Sequence, residues 1–194
     1  MSARRPAVFL DRDGTLNVER GFVTRVEEFA LLPGAVEAVR LLHEAGFALV
    51  VVTNQSGIAR GLYTETTLAH VHAHAHEQLG GRVLAWLHCP HHPEEQGAHG
   101  RRCECRKPGS GLLHQARELL GCDFEGSYLV GDASRDILMA GLLPLTTVMV
   151  RSGKEHAHEL AVAREGGRAP DACADDLLAA ARWILAREAM REGD

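Results

Sequence analysis

Apolar runs recur along this 194-residue chain at intervals that leave room for a helix between them: AVFL at 7–10, FALVVVT at 47–53, RVLAWLH at 82–88, SYLVGD at 127–132 and TTVMVR at 146–151. Unbroken runs of this length are what strands buried on both faces require. Between them, PGAVEAVRLLHEAG (33–46) places apolar residues at 36, 39, 41 and 42, with Pro33 near its start and Gly46 after its end, the punctuation of a helix. SGLLHQARELLG (110–121), SRDILMAGLL (134–143) and the final stretch from Asp175 to Met190 read the same way. Buried strands alternating with amphipathic helices predict an α/β fold, a Rossmann-like parallel sheet with helices on both faces. The length suits one such domain with a full core and is short for two, so residues 1–194 are expected to form a single domain.

The segment TETTLAHVHAHAHEQLG (64–80) sets two periods against each other. His70, His72, His74 and His76 alternate as on a strand, while Leu68, Val71, Ala75 and Leu79 keep helical spacing. Alanine is a poor strand former and Thr64 can cap, so a helix is predicted, with His70 and His74 on a solvated face rather than in a metal site.

Composition narrows the partners. Of the residues 45% are hydrophobic and 24% charged, a globular balance, and the net charge of −5 argues against duplex DNA or an anionic membrane, which select basic surfaces. A small soluble ligand is expected, with no nucleic acid and no membrane as partner, and a monomeric protein. The opening MSARRPAVFLDRDG reaches acidic residues before it builds the apolar segment of a secretory signal, and the five cysteines suit metal binding better than disulfides; both predict the cytoplasm. Cys122 and Cys173 carry no chemistry that the sequence reveals.

The chemistry begins at FLDRDGTLN (9–17). Asp11 and Asp13 stand where the first strand ends, the edge at which parallel sheets bind ligands. Two like charges there repel unless a divalent cation neutralises them, and hard oxygen donors suit magnesium. YLVGDASRDILMAG delivers Asp132 at another strand end, so Asp11, Asp132 and a backbone oxygen of Asp13 are predicted to hold Mg2+; Asp136 is a further candidate ligand or an ordinary helix-start carboxylate. In VVVTNQSGIARG, Thr53, Asn54 and Ser56 can donate hydrogen bonds to an oxyanion, and CRKPGSG supplies Arg106 and Lys107 as cations for a phosphate.

A fourth cluster lies in HCPHHPEEQGAHGRRCECRK. Cys89-x-His91 and Cys103-x-Cys105 give four borderline ligands in two close pairs, suited to tetrahedral Zn2+, with His92 and His99 competing for the histidine position. Such a closed site would staple a loop over 89–105 that has no core of its own.

DRDGT, the strand-end threonine, the lysine and GDxxxD, in this order across residues 7–150, resemble the four motifs of the haloacid dehalogenase-like phosphatase superfamily. The resemblance implies that Asp11 attacks phosphorus to form an aspartyl phosphate and that Asp13 protonates the leaving alkoxide and then activates water, with Thr53 and Lys107 completing the catalytic set. Together with CPHHP and CxCRKP it implies a phosphorylated-sugar substrate, a bisphosphate, with a histidinol-phosphate phosphatase as the nearest rival and a non-catalytic zinc-stabilised binding module as the rival of another class. It further implies that Glu19, Arg20, Gly21 and Phe22, together with Asn54, Gln55, Ser56 and Arg106, contact the substrate, Arg106 taking its remote phosphate. No insertion is long enough for a large cap, so the zinc loop and residues 18–32 are expected to wall the pocket. One departure stands out: Ala133 occupies a position where this family often carries lysine.

Overall fold

The computed structural model describes residues 5–191. In chain order the elements are β1 (Pro6–Leu10), α1 (Ala35–Glu44), β2 (Ala48–Asn54), α2 (Glu65–Gln78), β3 (Ala85–Cys89), α3 (Gly111–Leu120), β4 (Asp123–Gly131), α4 (Ser134–Met139), β5 (Leu145–Val150), α5 (His156–Glu165), β6 (Ala172–Ala174) and α6 (Leu177–Arg191). The strands pair in parallel in the order β3-β2-β1-β4-β5-β6. Successive strands run outward in one direction from β1 through β2 and β3, and in the other from β4 onward. The carboxyl ends of β1 and β4 therefore flank the crevice where such a sheet takes its ligands.

The apolar runs explain the layering. In β1, Val8 and Leu10 face one side and Ala7 and Phe9 the other, all fully buried. The first side is covered by α1 through Ala38, Val39 and Leu42 and by α6 through Ala180, Ala181 and Ile184. The second is covered by α3 through Leu112, Leu113 and Ala116 and by Met139 of α4. Each buried leucine, valine or phenylalanine contributes about 1.5–3 kcal/mol, which pins the sheet between its two helical layers.

α2 forms as its apolar spacing predicts, with Leu68, Val71, Ala75 and Leu79 buried and the Thr64 hydroxyl accepting the Thr67 amide at 3.1 Å. His70 is exposed and Gln78 pairs with His74, but His72 is buried, its ring 4.9 Å from that of Trp86. Two boundaries and two further elements differ from the sequence reading. α4 stops at Met139 instead of running to 143, because Gly141 turns at φ 51° and Pro144 leads directly into β5. β3 begins at Ala85, after Gly80 and Gly81 turn at positive φ. α5 and β6 come as additions: α5 buries only Ala163 and so shows no apolar stripe, and β6 has three residues.

Candidate active site at the carboxyl edge of the sheet

Four parallel strands end on the same edge, and each delivers a functional residue: Asp11 just after β1, Thr53 and Asn54 at the end of β2, Cys89 at the end of β3, and Asp132 just after β4. The Asp11 amide still donates to the Val130 carbonyl at 2.9 Å, which locks the first aspartate in register beside the fourth strand.

Asp11, Asp132 and Asp136 converge, each offering a carboxylate oxygen within 4.8 Å of the others, and all three are buried. Lys107, also buried, reaches this cluster from the loop after β3. Its Nζ donates to Asp11 Oδ1 at 2.6 Å and to the Val52 carbonyl at 3.1 Å, and stands 2.5 Å from Asp136 Oδ1 as an ion pair off hydrogen-bond alignment. Asp136 Oδ2 accepts the Ala133 amide at 3.0 Å, so this carboxylate both caps α4 and holds the lysine. Two buried oxygens are then left with no partner: Asp11 Oδ2 and Asp132 Oδ1.

Three carboxylates against one ammonium leave a charge of −2 in a dry site. Burial, reinforced by the neighbouring carboxylates, pushes the Asp132 carboxyl up to about 8. Burial also raises Asp11 to about 6 against the opposing pull of Lys107. Burial would depress Lys107 as well, but Asp11 and Asp136 together keep its pKa above the usual value. Asp11 and Asp132 would hold a divalent cation that offsets this charge, and the all-oxygen donor set fits Mg2+. The loop after β5 closes around Asp132: the Lys154 amide donates to its Oδ2 at 2.8 Å, and Ser152 Oγ donates to the Gly14 carbonyl at 2.7 Å. A Cβ at Gly14 or Gly153 would strike Asp132 Oδ2, so both positions need glycine for this approach, and Gly14 additionally turns at φ 84°.

Asp13 sits in a different environment. Arg12, a fully buried arginine, donates to it twice, from Nη2 to Oδ1 at 2.8 Å and from Nε to Oδ2 at 3.1 Å. Asn17 Nδ2 adds a bond to Oδ1 at 3.0 Å and Gln55 Nε2 one to Oδ2 at 3.0 Å. Burial is the largest single influence and would raise this carboxyl, yet the Arg12 charge and these hydrogen bonds outweigh it and hold Asp13 below the usual carboxylate range. Two aspartates two residues apart are thus driven in opposite directions before substrate binds, Asp11 toward its protonated form and Asp13 toward its ionised form.

Gln55 ties this network to the second strand: its Nε2 also donates to Thr53 Oγ1 at 2.8 Å, and its Oε1 accepts the Tyr63 hydroxyl at 2.6 Å. Asn54 grips the backbone of Lys107 from both sides, accepting its amide at 3.0 Å and donating to its carbonyl at 3.2 Å. A pocket of ≈ 270 Å³ opens over these groups. Glu19, Gly21, Phe22, Asn54, Gln55, Ser56 and Arg106 line it with Asp13, whereas Arg20 is exposed and stands outside its lining. Arg135 and Lys154 line it too, and Lys154 Nζ pairs with Glu19 Oε2 at 2.9 Å. Sequence reasoning passed over these two cations, together with Arg12 and Asn17. For Arg12, Asn17 and Arg135 the only signal was nearness to motif residues, and for Lys154 there was none.

Cys89, His91, Cys103 and Cys105 form a second cluster. The sulfur–sulfur separations are 3.2, 3.2 and 3.5 Å, far beyond the ~2.05 Å of a disulfide. His91 Nδ1 lies 3.3 Å from Cys105 Sγ and 3.7 Å from Cys89 Sγ. A zinc tetrahedron with bonds of about 2.0–2.3 Å has edges of roughly 3.5–3.8 Å, so the four donors already stand at or slightly inside that spacing. His92 faces Arg60 instead, and the His99 ring lies 5.7 Å from that of His91. Burial pushes the Cys89 thiol well up, which a bound metal reverses by holding it as thiolate. The loop that carries the cluster also carries Arg106, whose Nη1 donates to the His91 carbonyl at 3.0 Å.

Comparison with known proteins gives a consistent set of likenesses. The HAD-hydrolase-like family model matches residues 104–180. The chain is similar to the D-glycero-beta-D-manno-heptose-1,7-bisphosphate 7-phosphatase of Yersinia pestis, 41% identical over 96% of this chain and 99% of the relative. It is similar to the Escherichia coli K12 protein of the same description, 43% identical over 79% and 83%. Among solved structures, the D,D-heptose 1,7-bisphosphate phosphatase of B. bronchiseptica complexed with magnesium and phosphate superposes with a TM-score of 0.80 at 33% identity, over 94% of this chain and 99% of the other.

Proposed function

Because the chain belongs to the D-glycero-beta-D-manno-heptose-1,7-bisphosphate 7-phosphatase family of HAD-like hydrolases, we propose that it removes the 7-phosphate of this sugar bisphosphate by a magnesium-dependent route through an aspartyl phosphate. The observation that carries the mechanism is the pair of orphaned oxygens, Asp11 Oδ2 and Asp132 Oδ1, beside a lysine that holds the other oxygen of Asp11.

Asp11 is the nucleophile in this reading. Lys107 keeps its carboxylate oriented and offsets charge on the phosphoryl group, and Thr53, buried at the strand end, aligns that group with its hydroxyl. Mg2+ held by Asp11, Asp132 and the Asp13 backbone supplies charge neutralisation for the transferring phosphoryl group. Asp13, ionised in the free site, gains its proton as the negative phosphate enters and raises its pKa; it gives that proton to the leaving sugar oxygen, then takes one from the water that hydrolyses the acyl phosphate. Glu19, Phe22, Ser56 and Arg106 hold the sugar and its second phosphate. The product, a heptose 1-phosphate, feeds nucleotide-activated heptose and the lipopolysaccharide core or another glycan.

The relatives are named for the beta anomer, and we take that as the preferred substrate. No helix among the described residues is long and apolar enough to cross a membrane, and all five cysteines are unpaired, which supports a cytoplasmic setting. Phosphate release from both anomers of the bisphosphate and from histidinol phosphate, measured on one magnesium-loaded preparation, tests the reading. The beta bisphosphate should give the highest kcat/KM, and Asp11→Asn should abolish turnover. Equal activity in that variant would remove the mechanism, and a preference for histidinol phosphate would remove the substrate.

A further inference from the structure

We propose that Arg135 determines specificity for the bisphosphorylated substrate, forming with Arg106 a two-guanidinium clamp on the phosphate that is not hydrolysed. The inference rests on the functional reading above and extends it to a residue outside the motifs. Arg135 lies in the first turn of α4 and opens into the same cavity as Arg106, Ser56 and Phe22.

Charge accounting separates it from the other cations. Lys107 is occupied by Asp11, Asp136 and the Val52 carbonyl; Arg12 is occupied by Asp13; Lys154 is paired with Glu19. The −3 of Asp11, Asp132 and Asp136 is met by Lys107 and a divalent cation, with nothing left over. Asp136, Asp11 and Asp132 favour the charge of Arg135 through space but none of them pairs with it directly. Its Nε is buried without a hydrogen-bond partner, and among the described residues no carboxylate forms an ion pair with it. Arg135 and Arg106 line the same pocket of ≈ 270 Å³. Two guanidiniums sharing a partly enclosed pocket repel until a dianion enters, and the planar fork of each matches phosphate geometry. The hydrolysed phosphate already has Lys107 and the metal as counter-charges, so the dianion left for this pair is the second phosphate. Position 133 cannot serve the same end, because it is a buried alanine.

The test is a ratio. With magnesium saturating, kcat/KM is measured for the heptose 1,7-bisphosphate and for p-nitrophenyl phosphate, a monoester with no second phosphate, in the wild type and in Arg135→Met. Loss of a charge-assisted contact of this kind lowers the bisphosphate-to-monoester ratio by about tenfold or more, chiefly through KM, and Arg135→Lys recovers part of it. An unchanged ratio, or a loss carried by kcat alone, overturns the proposal. If Arg135→Met melts unfolded, Arg135→Gln reads the same ratio. A wild type that cleaves the monoester and ignores the bisphosphate removes the functional reading and this proposal together, whereas a normal wild type with an unaltered variant removes this proposal alone.

Discussion

Lys107 Nζ lies 2.6 Å from Asp11 Oδ1, on the opposite oxygen from the one left open toward Asp132. The proposed nucleophile is thus held by an ammonium on one side and open on the other, where a metal would bind. Lys107 has no freedom to leave: three acceptors surround it and Asn54 clamps its backbone.

Replacing that lysine separates charge stabilisation from binding. In Lys107→Met the phosphoryl group loses a preorganised donor, and comparable deletions lower kcat by about 10²–10³-fold. KM should move far less if, as proposed, the sugar and its second phosphate are held by the pocket residues around Arg106. Steady-state kinetics on a folded variant check both numbers.

Proton and metal compete for the same oxygens. In the metal-free protein Asp132 titrates at about 8 against an ordinary 3.8, with burial the main cause. The folded state therefore keeps a proton that the unfolded chain has released. The stabilisation from this group is complete below about pH 3.8, declines as pH rises and is gone above about pH 8. Magnesium must expel that proton, so its apparent affinity should rise up to about tenfold per pH unit between pH 6 and 8 and then level off. Titration calorimetry across that range tests the slope. The magnesium-induced rise in Tm should grow in parallel.

The buried Arg12 makes a stability prediction. It donates to both oxygens of Asp13 and sits 3.4 Å from His72 Nε2. Removing one partner of a buried ion pair costs about 3–5 kcal/mol, because the other charge is stranded. Arg12→Met should lower Tm by roughly 6–20 °C for a chain of this size. Calorimetry checks it, and a change below about 2 °C would mean that Asp13 finds another partner.

The sequence carried the sheet, four of its crossover helices and both metal clusters because each rests on local pattern: apolar runs, capping residues, ligand spacing. It did not carry α5 and β6, whose placement depends on tertiary pairing of β6 with β5 and not on an apolar stripe of their own. The sequence reading placed His70 and His74 on a solvated face and gave no role to His72. It is buried because Trp86 and Arg12 meet it from β3 and from the β1 loop, a convergence between distant segments. Arg135 and Lys154 escaped notice for a related reason: Arg135 looks like any helix-surface charge until the fold buries it beside the acidic cluster, and Lys154 lies far along the chain from every motif until the loop after β5 brings it to the pocket.

The zinc cluster and the catalytic cations share one loop, which predicts how metal loss should be felt. Cys105, Arg106 and Lys107 are consecutive, Arg106 leans on the His91 carbonyl, and the loop spans from β3 to α3 with no helix or strand between. With Cys89, His91, Cys103 and Cys105 as its four ligands a zinc ion would have no open position for chemistry and would act by fixing the loop. Elemental analysis should find one zinc per chain, and cobalt substitution should show thiolate charge-transfer bands. Cys103→Ser should release the metal and raise KM for the bisphosphate by more than it lowers kcat, since Arg106 hangs from the loop directly while Lys107 is still gripped by Asn54, Asp11 and Asp136. If kcat collapsed with KM unchanged, the ion would be acting on the nucleophile's surroundings and not on the substrate-binding arginine.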